Sequence, residues 1–491
     1  MVDLLGKFFN RINIPPVHSA ALGVAAGFYF LFNAHSGVII TCVFLLFVIT
    51  CFFRVLSSLN EDSRQMRHAA VCSTAFVIGL FVGLCAADAG KGNVSFGIPH
   101  ENVIAVEGKL LEDLRITSTG SVMASVSLRR CAGDRVRVSS AGEITVFFPR
   151  ENANKLREFG RGTVIFAEGQ LRFSDHGWSF NASSLHIVKP ASAIEQMRTN
   201  IRNNLIERFG KKTWGGLSLA LLFGIRDNLD TELTTIYRGA GLSYILALSG
   251  MHLAIIAALI SFLLKKPLGL KACAITGAVI IILYCLFVGP MPSLNRAALM
   301  YILGVFAILF YLPKNAMSVL SLSFLIQIIV TPAAGNSLSF ILSYLALVGI
   351  LVAGKALSFL LAGKVPNFLL QPLSISAGAF TATAGVCSFT FGMIAPIGII
   401  AGLFIVPLTT AFMIGSIIWL VLDFISLSFL FNMPLLVLYR LMEAIASVSG
   451  IIPGISASSA LVLAVSVIIL LVIIALEHKR RIALLKLEPF L

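Results

Sequence analysis

Gly239-Ala240-Gly241-Leu242-Ser243-Tyr244-Ile245-Leu246-Ala247-Leu248-Ser249-Gly250-Met251-His252-Leu253 opens an apolar segment that runs on to about Leu264. Read as a helix, the segment is long enough to cross a bilayer, which takes roughly 20 apolar residues. Its first half nevertheless carries Ser249, Gly250 and His252 within one turn. A polar, titratable turn in hydrocarbon is costly, and such residues face a protein interior or a watery path. Gly250 lets the backbone bend or a neighbouring helix approach closely. Residue chemistry leaves two readings open: a Ser-Gly helix contact with a hydrogen-bonded His, or an element of a transport path.

The rest of the chain is apolar enough to place that segment in a membrane. The protein has 491 residues, of which 57% are hydrophobic and only 12% charged, and its mean hydropathy is +0.93. Soluble globular chains of this length do not have such a composition, so the fold class is a polytopic α-helical integral membrane protein. A net charge of +14 is not by itself a nucleic-acid footprint, because membrane proteins carry excess Lys and Arg on cytoplasmic loops. Seven of the eight Cys stand in apolar segments and behave as small hydrophobes; Cys131 alone is in a polar region, so no disulfide framework is expected. The His residues are scattered singly and no Cys or His group has metal-ligand spacing, so the expectation is no metal and no cofactor.

Outward from the central stretch, the N-terminal side divides into membrane and polar parts. Lys7 and Arg11 precede apolar runs from about Ala20 to Phe32 and Val38 to Phe53, read as a retained helical hairpin, and a third run spans Ala69 to Ala87. With Lys7, Arg11 and the Arg54–Arg67 loop on the cytoplasmic side, the polar region from about Gly90 to Lys212 falls outside. Its balance is about +6. Strand-like alternation covers Val103–Leu111, Val122–Leu128, Arg135–Val138, Glu143–Phe148, Thr163–Phe173 and Trp178–Val188, with a short helix over Glu151–Phe159. Five or six short strands and one helix suggest a small closed barrel, most simply OB-like. OB folds bind single strands through aromatics and a basic groove. Most of the region's aromatics are assigned to the barrel core, and Arg129, Arg130, Arg135 and Arg137 are the preferred contact candidates. Ser192–Phe209 has the spacing of an amphipathic helix at the membrane surface.

Beyond Gly241 the chain is almost all membrane. Spans are expected near 242–264, 272–289, 296–312, 316–331, 337–353, 367–389, 395–422 and 458–476, with a shorter run at 424–438. The total comes to about ten to twelve, with both ends cytoplasmic. The layout reads as 1–89 N-terminal transmembrane helices, 90–190 OB-like extracytoplasmic domain, 191–230 interfacial linker, 231–478 main transmembrane domain and 479–491 basic tail. Gly224, Pro396 and Pro407 are expected to break helices. Asp227, Asp230, Asp423, Arg440 and Glu443 are assigned to span ends, mostly as ordinary boundary charges.

Several ordered motifs carry a resemblance. Leu221-Leu222-Phe223-Gly224-Ile225-Arg226-Asp227 and Arg238–His252 resemble the signature of ComEC-type competence membrane proteins. Ser293-Leu294-Asn295-Arg296-Ala297-Ala298-Leu299-Met300, Phe340–Ala346 with Ser343, and Phe391–Gly398 followed by Val406-Pro407-Leu408 resemble further elements of that family. The family commonly has Asp where Ile225 stands, His where Tyr244 stands and Asn where Gly402 stands. The resemblance implies a bacterial inner-membrane channel that takes up single-stranded DNA in natural transformation, with an outer OB-like domain. It implies a transport path near Gly241, Ser249, Gly250, His252, Arg296 and Ser343. It implies no catalytic residues. The expected partners are single-stranded DNA, a DNA-delivery protein outside, a cytoplasmic motor or single-strand-binding proteins, the bilayer, and in one arrangement further copies of the chain. Many members also carry a metallo-β-lactamase-like domain with a His-x-His-x-Asp-His cluster. No such cluster stands in this sequence, so degradation of the second strand is expected from elsewhere. The alternatives are a transporter of another anionic or lipid-linked substrate, and a non-transporting adaptor descended from the family.

Overall fold

The structure is a computed structural model that describes residues 16–31, 64–89, 94–116, 122–133, 136–148, 160–174, 177–312, 315–452, 454–456 and 458–487. Its polar part is built from seven strands: β1 Ala105–Leu110, β2 Arg115–Ile116, β3 Val122–Ala132, β4 Arg137–Ser139, β5 Glu143–Phe148, β6 Val164–Ser174 and β7 Gly177–Lys189. The alternation read in the sequence is the alternation of burial. Val122, Ala124, Val126 and Leu128 point inward from β3, and Ile144, Val146 and Phe148 from β5. β1 pairs with both β3 and β6, β3 with β5, and β6 with β7, all antiparallel, while β5 and β7 pair in parallel. The path β1-β3-β5-β7-β6 therefore returns to β1 and closes a five-stranded barrel of OB-like topology, with β2 and β4 as short additions on β3. β1 serves two neighbours by bending at a bulge between Glu107 and Gly108. A Cβ at Gly108 would lie 2.4 Å from Val126 Cγ1, so only glycine fits at that bend. The helix expected over Glu151–Phe159 lies outside the described residues, as does the second apolar run, Val38–Phe53.

Helix α1, Pro16–Ala25, widens into a π turn at Ala26–Leu31 and packs along α2, Arg64–Ala89. Gly23 and Gly27 on one helix face Gly79 and Gly83 on the other. A Cβ at Gly23 would stand 2.0 Å from the Phe76 carbonyl, and one at Gly83 2.3 Å from that of Val24. Small residues four apart on both helices let the backbones touch, which in lipid replaces the missing hydrophobic drive.

After the barrel come α3 Ala193–Gly210, α4 Gly215–Phe223, α5 Thr231–Gly239 and α6 Ser243–Leu246, then α7 Gly250–Val288, α8 Pro292–Leu309 and α9 Ala316–Val330. Next are α10 Leu338–Gly349, continued by a π segment into α11 Lys355–Leu361, then α12 Asn367–Phe391, α13 Ile397–Asp423, α14 Phe429–Gly450 and α15 Ser459–Leu487. Seven of the described helices are long and apolar enough to cross a membrane, and Thr74–Asp88 and Ala316–Val330 are shorter apolar helices. This is a multi-pass membrane protein.

Helix α7 counts twice. Its 39 residues would extend about 58 Å if straight, nearly double the roughly 30 Å hydrocarbon core. Gly269 has φ 73°, outside the helical range, and a Cβ at Gly277 would sit 3.7 Å from Ile260 Cγ2. Residues 17 apart can meet only if the chain folds back, so α7 is a hairpin with Lys265, Lys266 and Lys271 around its turn. The run expected at 424–438 is corrected: the helix extends from Phe429 to Gly450 and carries Arg440 and Glu443 inside it, not at an end. The two charges are paired one turn apart at 2.8 Å, which lets the helix hold them.

Candidate functional site

The stretch that opens at Gly239 is not one continuous helix. The four-residue α6 ends at Leu246, Ala247 is extended at φ −82° and ψ 128°, and Ser249 at φ −131° and ψ 174° caps the start of α7. The Ser249 backbone N–H donates to His252 Nδ1 at 3.0 Å, and Ser249 Oγ lies 3.0 Å from the same nitrogen. This is a capping arrangement in which His takes the place usually held by Glu or Gln. Because Nδ1 accepts, a neutral ring carries its hydrogen on Nε2. His252 is fully buried and Nε2 has no partner. A break at this position leaves the N-terminus of α7 free to present backbone N–H groups, the arrangement by which discontinuous transporter helices meet anions.

Three contacts bring other motifs to the break. A Cβ at Gly224 would lie 2.7 Å from Met291 Cε and 3.6 Å from Leu248 Cδ2. This sets the start of α8 beside the start of α7. Gly224 itself ends α4 in the left-handed region, φ 69°. At Gly250 a Cβ would meet Arg296 Nη2 at 3.0 Å and Ala297 Cβ at 3.4 Å. Arg296, one turn into α8, thus lies directly against the break.

Arg296 is only 5% exposed. Its Nε and Nη1 have no hydrogen-bond partner, and no ion pair forms to it among the described residues. Its one evident support is the ring of Tyr344, whose centroid is 5.6 Å from the guanidinium carbon. The Tyr344 hydroxyl donates to Gln327 Oε1 at 3.0 Å and lies 3.3 Å from Ser323 Oγ; Gln327 Nε2 donates to the Pro292 carbonyl at 3.2 Å. All three polar neighbours are buried. Tyr344 stands inside the Phe340–Ala346 motif but is not itself marked there as a site residue, and Gln327 and Ser323, both on α9, stand in no motif. Stripping water from a lone cation costs several kcal/mol even after relaxation. A guanidinium with unpaired donors, next to two helix N-termini, has the chemistry that an anion would complement.

A second buried arginine group ties the barrel to the membrane domain. Arg198 on α3 donates through both terminal nitrogens to the Asp113 carboxylate, 3.0 Å for Nη1 to Oδ1, and through Nε to the Phe287 carbonyl at 2.7 Å. Arg161 pairs with Glu195 at 2.6 Å and reaches the Leu286 carbonyl at 3.4 Å. Arg202 bridges Asp113 and Asp227 at 3.7 and 2.9 Å. The last-turn carbonyls of α7, orphaned by the helix geometry, are thereby capped from the barrel side. Burial pushes the Asp113 carboxyl up, but hydrogen bonding to Arg198 and the charges of Arg198 and Arg202 outweigh it and hold the group below its ordinary value. Asp227 is therefore not an ordinary boundary charge, and Arg198 and Arg202 face the protein. The apolar side of α3, with Ile194, Met197 and Ile201, is the exposed one, as suits a helix lying on lipid.

The remaining sequence candidates scatter. Gly241, φ 71°, sits against Ala395, where a Cβ would lie 2.8 Å from both the Ala395 Cβ and its carbonyl. Pro396 stands in the break between α12 and α13, whereas Pro407, expected to break a helix, is corrected to a position inside the uninterrupted α13. Ser343 is half-buried beside Tyr344. Ile225 is buried in the core shared by α4, α5, α13 and α14. Tyr244 meets Gly402, where a Cβ would stand 2.7 Å from the tyrosine hydroxyl. On the barrel, Arg129, Arg130 and Arg137 are exposed, Arg130 faces Glu107 at 3.9 Å, and Arg137 lies over the Phe166 ring at 5.5 Å. Arg135 lies outside the described residues.

A family model described as competence protein matches residues 221–480. An uncharacterized protein of Aquifex aeolicus is 28% identical over 243 residues, 48% of this chain and 54% of that one. ComE operon protein 3 of Bacillus subtilis is 24% identical over 225 residues, 42% of this chain and 29% of that one. The matched part is thus about half the length of the first relative and under a third of the second.

Proposed function

This chain belongs to the competence protein family, and from that premise we propose that it passes single-stranded DNA across a bacterial inner membrane as a conduit, not as a catalyst. The observation that carries the reading is Arg296: a buried guanidinium with open donors at a break between helices. A polyanion crossing lipid needs each phosphate met by charge and hydrogen bonds. Arg296 supplies a bidentate phosphate partner, and the N-termini of α7 and α8 add partial positive charge. His252 Nε2–H is a further unused donor in the same turn as Gly250. One site of this kind holds one phosphate at a time, which suits passage better than retention. A slim single strand fits such a path where a duplex does not. Movement is supplied by partners, a delivery protein outside and a motor or single-strand-binding proteins inside.

The test is internalisation of labelled DNA in a deletion strain complemented with wild type, Arg296→Ala or His252→Ala. Loss of uptake of about a hundredfold or more is expected for Arg296→Ala at equal membrane abundance, since a buried charged contact is worth roughly 3 kcal/mol. Normal uptake in both variants would sink the assignment of the path.

A further inference from the structure

The assignment of the barrel's aromatics to its core holds for Phe148 and Phe180, which are fully buried, but not for Phe173, which is 70% exposed. Phe173 and Trp178 face each other across the β6–β7 hairpin with ring centroids 4.8 Å apart. His100, from the turn of 3-10 helix before β1, packs its ring 5.3 Å from Trp178. Phe96 closes the inner side, edge-on to Trp178 at 5.2 Å. His100, Phe173 and Trp178 line an open groove of about 670 Å³ with Glu101, Val103, Gln170 and Leu171, a volume in the usual range of ligand sites, roughly 300–1,000 Å³.

We propose that this groove seats the bases of incoming single-stranded DNA, stacked on Phe173 and Trp178; the inference rests on the DNA reading above and gives the strand its first contact. The lining residues decide which part of the strand enters. None is Lys or Arg, and Glu101 adds a carboxylate at the rim, so the groove repels phosphate. It offers aromatic faces, with Gln170 and His100 able to hydrogen-bond base edges. Every base has a π-face, so such a platform is tolerant of sequence. The phosphates have their own track nearby. Arg137 lies over Phe166, four residues before Gln170 on the same strand, or about 13 Å of strand rise. Exposed Arg129 and Arg130 stand on the neighbouring end of β3. Bases in an aromatic groove beside a basic strip is the division of labour that single-strand binding uses. The loop between the last two barrel strands is also one of those by which OB folds hold oligonucleotides.

The experiment uses the full chain in nanodiscs with fluorescein-labelled oligo(dT) and an abasic strand of equal length. Trp214 and Trp419 are each 2% exposed, so stacking quenches Trp178 emission, and Trp178→Phe abolishes that quench. Phe173→Ala, at an exposed position that does not threaten folding, should weaken oligo(dT) about tenfold and leave the abasic strand unchanged. Arg137→Ala should weaken both strands alike and flatten the salt dependence. Equal binding of oligo(dT) by wild type and Phe173→Ala, binding without a quench, or no binding by the wild type would each overturn the groove. The uptake assay on Arg296→Ala reports separately, so loss of the groove leaves the membrane path standing or falling on its own.

Discussion

Arg198 and Arg296 are buried almost equally, at 7% and 5% exposure, yet they are opposites in construction. Arg198 is met by the Asp113 carboxylate and a helix-end carbonyl. Arg296 has an aromatic ring beneath it and two nitrogens with nothing to bond. A buried cation whose donors are all answered holds pieces of protein together. One without a partner among the described residues is the better candidate for contact with something outside the chain, and that is the role proposed for Arg296.

The largest effect that can break this comparison is on transport. Arg296→Met should abolish DNA uptake while the thermal midpoint of the detergent-solubilised protein stays level or rises, because the change removes an unpaired buried charge. A fall in midpoint equal to that of an Arg198 variant would make Arg296 a second structural arginine. Arg198→Met should do the reverse. It removes the bidentate partner of Asp113, which keeps only Arg202 at 3.7 Å and the Arg161 backbone N–H at 3.3 Å, and uncaps Phe287, at a cost of about 3 kcal/mol, visible as a lowered midpoint and easier proteolysis between barrel and membrane domain. Gly250→Ala sharpens the contrast on a smaller scale. Its methyl would stand 3.0 Å from Arg296 Nη2 and push the guanidinium aside, with uptake down roughly tenfold, or about 1.4 kcal/mol, at unchanged abundance.

The clamp should also have a pH signature. Asp113 has a depressed folded value, so its contribution is complete above its unfolded value, about 3.9, and is lost as pH falls through the lower folded one. Thermal midpoints of wild type and Asp113→Asn should therefore differ at pH 7 and converge in strong acid. The smallest effect belongs to Arg130→Ala. Its 3.9 Å pair with Glu107 is largely exposed, and stability should change by less than about 1 kcal/mol.

How much of this the sequence carries differs between the two regions. The barrel strands were legible because burial follows a period of two along β3 and β5, while the strand pairings, the closing β1–β6 and β5–β7 among them, are seen only in the structure. The path stretch was legible as a polar turn around Ser249 and His252, but its break was not, since no proline marks Ala247–Ser249 and Gly250 opens a helix as readily as it bends one. Gln327 was invisible because a polar residue in an apolar helix gives no period, and Tyr344, although inside the Phe340–Ala346 motif, carries no signal that pairs its ring with Arg296. The burial of Arg198 was not legible for a more general reason. Periodicity assigns α3 two faces but does not say which one docks, and here the charged face turns inward.

The contact between Tyr244 and Gly402 has a consequence for exchange between relatives. At both positions the resemblance implies other residues, His and Asn, and the two departures touch. A side chain added at position 402 would have to displace the end of the Tyr244 side chain, since even one carbon there would lie 2.7 Å from the hydroxyl. A chimaera that brings in a helix with a side chain at position 402 must therefore also bring a residue at 244 that yields the space.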